Sequence, residues 1–126
     1  MTDETTYKRR IFEANRMIFD EGDPADIVYI LSSGAVEIRV DTLTDYPRVL
    51  TRINVGDVFG ELALLEGRSH QAAAIATRKS EVLEVTREEF LDRLNAADPV
   101  MKAVVNHLVS SLRTTARELK KSAAQI

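Results

Sequence analysis

The chain has 126 residues, of which 44% are hydrophobic and 29% charged, a size and composition typical of one globular domain. It contains no cysteine and only two histidines, so disulfides and cysteine-ligated metals are excluded and a histidine-rich metal site is not expected. The longest stretches without a charged residue have ten residues, against the roughly 20 apolar residues of a membrane span, and no apolar secretory segment opens the chain. We therefore expect a cytoplasmic protein without membrane contact.

Charge is divided unevenly along the chain. Residues 1–98 carry 19 acidic and 12 basic side chains, whereas residues 99–126 carry one acidic and five basic side chains. An acidic body with a basic tail lacks the concentrated basic face that is typical of a DNA-binding domain. We interpret the basic tail as the solvated surface of a helix, with attraction of an acidic partner as the alternative.

The first part of the chain has the texture of a β protein. Residues 1–15 are polar and are predicted to form a frayed arm or a short helix. Over residues 16–86, short apolar runs separated by turn residues predict an antiparallel sandwich or barrel. The predicted strands are Arg16–Phe19, Ile27–Leu31, Val36–Val40, Val49–Ile53, Ala72–Ala76 and Val82–Val85. Strict alternation in Val36–Val40 indicates one buried and one solvated face.

Two helices are predicted after the strands. Thr86 followed three residues later by Glu89 is a capping-box pattern and predicts a short helix over residues 87–97. Asp98-Pro99 then offers an N-cap and a first-turn proline for a long helix over residues 99–122. The whole chain, residues 1–126, is therefore interpreted as a single domain.

The segment of residues 59–74, Phe-Gly-Glu-Leu-Ala-Leu-Leu-Glu-Gly-Arg-Ser-His-Gln-Ala-Ala-Ala, contains the strongest motif. Gly60 permits a close backbone approach, and one helical turn from Glu61 would leave free N–H groups that suit an anion. This segment resembles the phosphate-binding cassette of the cyclic-nucleotide-binding domain family. Further similar segments are Phe19–Asp23, Tyr29–Ile38 and Val55–Ala63, and the five glycines fall where the family tends to place them: Gly22, Gly34, Gly56, Gly60 and Gly67.

The resemblance implies a mainly β fold: a jelly-roll barrel with flanking helices and a long C-terminal helix, holding cAMP or cGMP. It implies that Glu61 accepts a hydrogen bond from the ribose 2′-hydroxyl, and that backbone groups of Gly60, Leu62 and Ala63 meet the ribose and phosphate. On the long helix, Thr115 falls at a base-contacting hydroxyl position of the family; a solvent-facing threonine is the alternative.

The sequence departs from the family at the phosphate. The family places an arginine nine residues after the cassette glutamate, and here that position is His70, followed by Gln71. Ala73 stands where a threonine is usual. We count His70 and Gln71 among the candidate nucleotide-binding residues. An imidazolium at His70 would replace part of the missing charge, so any cyclic-nucleotide binding is predicted to be weak at neutral pH and to tighten towards pH 6. A surface histidine without a ligand role is the alternative. Arg68 is two residues early and is expected to point to solvent.

These observations favour a stand-alone sensor or regulatory module that binds cAMP, cGMP or another small anion. The alternative is a scaffold that has lost nucleotide binding and acts through dimerisation or a partner protein. An enzyme is not expected, because neither a histidine-rich metal site nor a catalytic triad occurs in a recognisable context. No cofactor or metal is predicted. A helix-turn-helix domain needs roughly 60 residues beyond the long helix, so no DNA-binding domain is expected in this chain.

The long helix also carries an apolar seam. Its members follow alternating steps of four and three residues, as in a coiled coil: Met101, Val105, Leu108, Leu112, Thr115, Leu119 and Ser122. This pattern predicts a homodimer through the C-terminal helix. The alternative is that the seam packs on the barrel of its own chain.

Overall fold

A computed structural model describes the backbone of residues 7–124 and the side chains of residues 7–112 and 114. Eight strands and three helices follow one another within this range. They are β1 (Lys8–Phe12), β2 (Met17–Phe19), β3 (Ile27–Ser33), β4 (Val36–Val40), β5 (Arg48–Ile53), β6 (Val58–Phe59), α1 (Glu61–Glu66), β7 (Ala73–Ala76), β8 (Ser80–Thr86), α2 (Arg87–Ala96) and α3 (Pro99–Ala124). The chain forms two compact units that divide between Phe90 and Leu91.

The strands form two four-stranded antiparallel sheets, ordered β1-β8-β3-β6 and β2-β7-β4-β5. The mainly β fold with flanking helices is therefore confirmed. The predicted barrel, however, is not closed, because none of the described strands pairs across from one sheet to the other. The two sheets form a sandwich instead, and β1, β6, β2 and β5 are its edge strands.

The core of the sandwich is aromatic and aliphatic. Its buried members are Phe12, Phe19, Tyr29, Leu31, Val36, Ile53, Phe59, Ala74, Ala76 and Val82. Strand β3 is buried on both faces: Tyr29 and Leu31 belong to this core, whereas Val28 packs on the opposite side against Ala63 and Leu64 of α1. This double burial explains why β3 reads as a continuous apolar run rather than an alternating one. It also fixes α1 against the sheet.

Part of the N-terminal segment differs from the frayed arm or short helix predicted for residues 1–15; residues 1–6 lie outside the described residues. Residues Lys8–Phe12 form β1, which pairs antiparallel with β8 along its whole length. Two ion pairs connect these strands, from Arg9 to Glu81 at 2.7 Å and from Arg10 to Glu84 at 3.4 Å. Strand pairing and charge pairing thus order a segment in which only the last residue, Phe12, is buried.

The helices begin at the predicted capping residues. At α2, the Glu89 backbone N–H donates to the Thr86 hydroxyl oxygen at 3.2 Å, and that hydroxyl donates to the Glu89 carboxylate at 3.0 Å. At α3, the Asp98 carboxylate accepts the backbone N–H of Val100 at 2.8 Å. None of the helices within the described residues is long and apolar enough to cross a membrane.

The two ion pairs of β1 differ in burial, and this difference predicts their contributions to stability. Glu84 is buried and Glu81 is not. Arg10→Ala would leave a buried carboxylate without its cation, so we expect a loss of about 1–3 kcal/mol in the free energy of unfolding. Arg9→Ala removes an exposed pair, which solvent screens, and should cost less than Arg10→Ala. Urea denaturation of both variants at pH 7 measures the difference, and equal losses would contradict it.

Candidate functional site

A cavity of about 570 Å³ lies beside α1. Its walls come from the inner faces of β4 and β5, from β6, from α1 and from the loop before β7. The lining residues are Phe19, Ile38, Val40, Leu50, Thr51, Ile53, Val58, Phe59, Gly60, Glu61, Leu62, Ala63, Arg68, His70, Gln71 and Ala72. We call this space the α1 cavity. No cluster of three potential metal ligands occurs among the described residues.

Gly60 positions the start of α1 over the cavity. Its φ of +82° lies in the left-handed region, a backbone conformation that residues other than glycine rarely adopt. A Cβ at this position would also come within 3.3 Å of the Tyr29 ring and 3.4 Å of the His70 ring. The backbone conformation therefore favours glycine here, and the Tyr29 ring would have to shift slightly to admit a Cβ. The turn places Glu61 at the first position of α1.

Gly67 ends α1 and turns the chain back towards the cavity. Its φ is +66°; its N–H donates to the Leu64 carbonyl at 3.1 Å, and the N–H of Arg68 donates to the Ala63 carbonyl at 3.0 Å. These two bonds form a Schellman motif, which reverses the chain direction after a helix. As a result Arg68 lines the α1 cavity, with 31% of its side chain exposed. The expectation that Arg68 points away to solvent was wrong.

The Arg68 guanidinium is held by a neighbouring acid. Its Nε donates to the Glu66 carboxylate at 3.2 Å, and one terminal nitrogen donates to the other carboxylate oxygen at 3.5 Å. The second terminal nitrogen donates to the Ser69 carbonyl at 3.4 Å. Arg68 is the only residue with a permanent positive charge among the described residues that line the cavity.

His70 lies in the cavity wall as a buried ring. It is 6% exposed and stacks on Phe19 with ring centroids 3.7 Å apart and an interplanar angle of 10°. Burial lowers the pKa of His70, and the positive charge of Arg68 acts in the same direction; the carboxylates of Asp23 and Asp26 oppose the shift. Because its ordinary pKa is already below 7, the imidazole is neutral at neutral pH in the absence of a ligand. It offers the cavity a flat surface and not a charge.

Glu61 is a half-buried carboxyl in the same cavity. Burial raises its pKa, and a hydrogen bond from its own backbone N–H only partly offsets the shift. No ion pair to Glu61 occurs among the described side chains. Folding thus removes water from this carboxylate and supplies no cation in return. The carboxylate is therefore available to accept a hydrogen bond from a ligand hydroxyl.

The structure brings most of the predicted site residues together. Six of them line the α1 cavity: Gly60, Glu61, Leu62, Ala63, His70 and Gln71. Ala73, in contrast, is fully buried in β7 and does not line it. The side chain of Thr115 lies outside the described side chains, so its predicted contact with a base stays a prediction.

Sequence reasoning missed the apolar wall opposite α1. Ile38 and Val40 of β4 and Leu50 of β5 form it. The alternation of β4 is the signal that could have found it, because the residues that alternate with Ile38 and Val40, namely Glu37 and Arg39, lie on the other face of the strand. Glu37 there pairs with Arg39 at 2.7 Å, outside the cavity lining. The cavity thus has an apolar side and a polar side.

The comparisons with known proteins agree with this geometry. Residues 9–97 match the family described as "Cyclic nucleotide-binding domain". The "Cyclic AMP receptor protein" of Thermus thermophilus is 29% identical over 113 residues, which make up 90% of this chain and 52% of that protein. A "cAMP-dependent protein kinase regulatory subunit" of Emericella nidulans is 33% identical over 91 residues, which make up 72% of this chain and 21% of that protein. The chain therefore spans about half or less of these curated relatives.

Solved structures show the same fold. The catabolite activator protein of Thermus thermophilus superposes with a TM-score of 0.75 at 28% identity, covering 94% of this chain and 56% of that one. An EAL enzyme in its cAMP-bound form superposes with a TM-score of 0.69 at 29% identity, covering 90% of this chain and 30% of that one. Its cGMP-bound form has a TM-score of 0.71 at 28% identity, with coverages of 88% and 30%.

The raised pKa of Glu61 predicts that this residue reduces stability. Folding disfavours the ionised carboxyl, so the penalty is present at neutral pH and disappears as the pH falls below the unfolded-state pKa. Glu61→Gln should increase the free energy of unfolding at pH 7.5, and the gain should shrink towards pH 4.5. Urea denaturation at both pH values measures it.

Glu88 supplies the matched control. It is an exposed acid in the first turn of α2, as Glu61 is in the first turn of α1, so both substitutions remove the same interaction with a helix N-terminus. Glu88→Gln should bring no gain at either pH. A Glu61→Gln variant no more stable than the wild type at pH 7.5 would contradict the prediction.

Proposed function

Because the chain belongs to the cyclic nucleotide-binding domain family, we propose that it is a regulatory module that binds cAMP or cGMP in the α1 cavity. The single observation that carries the proposal is the cavity itself, in which the residues of the predicted cassette meet an apolar wall. Its volume of about 570 Å³ lies within the range of small-molecule sites. The relatives named as a receptor and as a regulatory subunit support a binding role over a catalytic one.

In this proposal each side of the cavity meets one part of the nucleotide. Glu61 accepts a hydrogen bond from the ribose 2′-hydroxyl, and the backbone of Gly60, Leu62 and Ala63 meets the ribose and phosphate. Gln71 is exposed at the cavity rim, where its amide can donate to a phosphate oxygen. The apolar wall of β4 and β5 packs against the flat faces of the ligand. Thr115 of α3 remains the candidate contact to the base.

One observation favours the alternative of a scaffold without a nucleotide. The position at which the family places its arginine holds His70, which is neutral and buried in the absence of a ligand. Loss of a bidentate arginine–phosphate pair weakens an anion site strongly. Direct measurement of binding therefore separates the two functions.

Calorimetric titration of the purified chain with cAMP and with cGMP at pH 7.5 tests the proposal. We expect saturable binding of at least one nucleotide. Glu61→Ala should weaken it by about tenfold or more, because a hydrogen bond to a charged group is lost. Glu88→Ala, which removes an exposed acid away from the cavity, should leave it unchanged. If neither nucleotide binds at millimolar concentration, the proposed nucleotide-binding function is excluded.

We also propose that the chain forms a homodimer through α3. Val100, Met101, Leu108 and Leu112 expose between 55% and 69% of their surface in the single chain. Leu108 and Leu112 lie one helical turn apart on the predicted seam, so a second copy of α3 would cover both. The seam positions Thr115, Leu119 and Ser122 lie outside the described side chains.

Sedimentation equilibrium at micromolar concentrations tests the dimer. The unmutated chain of 14.1 kDa should sediment at twice that mass. The double variant Leu108→Glu and Leu112→Glu places charges in the seam and should be monomeric. Asn106→Glu and Ser110→Glu, exposed residues of α3 outside the seam, form the control and should not change the mass. A monomeric wild type would exclude this interface.

A further inference from the structure

The α1 cavity needs a positive charge if it is to hold a phosphate, and few groups can supply it. Strand alternation removes the nearest candidates on the sheet. Arg39 and Arg52 lie on the outer face of β4 and β5, where both pair with Glu37 at 2.7 and 3.3 Å. Among the described residues that line the cavity, only Arg68 and His70 can carry a positive charge.

We propose that Arg68 binds the phosphate of the nucleotide, with Glu66 holding its guanidinium in the absence of a ligand and His70 serving as an uncharged wall. This inference rests on the proposed function, because it names the residue that recognises the anion in the same site. The positive charge that binds the phosphate then comes from Arg68, two residues closer to α1 than His70, which occupies the position where the family places its arginine.

The Schellman turn gives Arg68 its position. The backbone N–H of Arg68 is fixed on the Ala63 carbonyl, so the side chain starts at the end of α1 and reaches the cavity that Glu61 lines from the other end. A guanidinium has five N–H donors, and the described residues accept three hydrogen bonds from it, two of them at 3.4 Å or longer. Donors therefore remain for phosphate oxygens.

Glu66 competes with the phosphate for this guanidinium. The pair is partly exposed, with 31% of the Arg68 side chain and 21% of the Glu66 side chain accessible. Partly exposed ion pairs are weak, so a ligand anion can displace the carboxylate. The displaced Glu66 would still repel the phosphate from nearby. Glu66 should therefore lower the affinity of the site.

His70 is less suited to carry the charge. The Phe19 ring covers one face of its ring, with the two centroids 3.7 Å apart, and Gly60 lies close to the same ring. Burial holds the pKa of His70 below its ordinary value. A phenyl ring could occupy the same stack without any nitrogen. His70→Phe therefore separates the stacking role of this residue from a charge role.

Calorimetric titration of cAMP into a set of variants tests the inference. Arg68→Gln should weaken binding by about tenfold or more, because the charge and the forked donors are lost. Arg78→Gln removes an exposed arginine that does not line the cavity and is the matched control. Glu66→Gln should tighten binding by about threefold, and Glu88→Gln should not change it. His70→Phe should bind within about threefold of the wild type.

Damaged folding cannot produce the increase in affinity expected for Glu66→Gln. This variant therefore tests the inference even if another variant folds poorly. Unchanged affinity in Arg68→Gln would overturn the role of Arg68 alone, and so would a tenfold loss in a folded His70→Phe with none in Arg68→Gln. Absence of binding in the unmutated chain would overturn both the proposed function and this inference. Circular dichroism of each variant verifies its fold.

Discussion

The stack of His70 on Phe19 is the interaction on which the site depends. Phe19 belongs to the sandwich core and contacts the rings of Tyr29 and Phe59, so the stack attaches the loop before β7 to the aromatic core. Two backbone bonds reinforce it: the Gly22 N–H donates to the His70 carbonyl at 2.8 Å, and the His70 N–H donates to the Asp23 carbonyl at 3.0 Å. The cavity wall is therefore built before any ligand enters.

The α1 cavity is lined by both an acidic and a basic side chain. Glu61 is desolvated without a cation, and Arg68 pairs with Glu66 of α1 and donates to the Ser69 carbonyl. Both side chains could therefore form further hydrogen bonds with a ligand that offers a donor to Glu61 and an acceptor to Arg68.

The sequence was sufficient to predict strands in which buried residues recur at regular positions. It was not sufficient for a strand that is held mainly by pairing with its neighbour. β4 alternates and was predicted at its observed bounds, whereas β1 is rich in charges and is ordered by pairing with β8. Closure of a barrel depends on long-range pairing that no local pattern encodes. The prediction for Arg68 was wrong because it relied on the number of residues after Glu61 and ignored the turn at Gly67. A glycine after a short helix predicts that the chain reverses its direction.

Strand β5 has a consequence for how the molecule meets its neighbours. It is an edge strand with five of its six residues exposed, so its outer backbone groups are open to pairing with a strand of another molecule. Arg48 and Arg52 lie on this strand. Arg48 pairs with Asp41, which directly follows β4, and Arg52 pairs with Glu37 of β4. Charged side chains at an edge discourage addition of a further strand, so this sheet resists growing into an intermolecular aggregate.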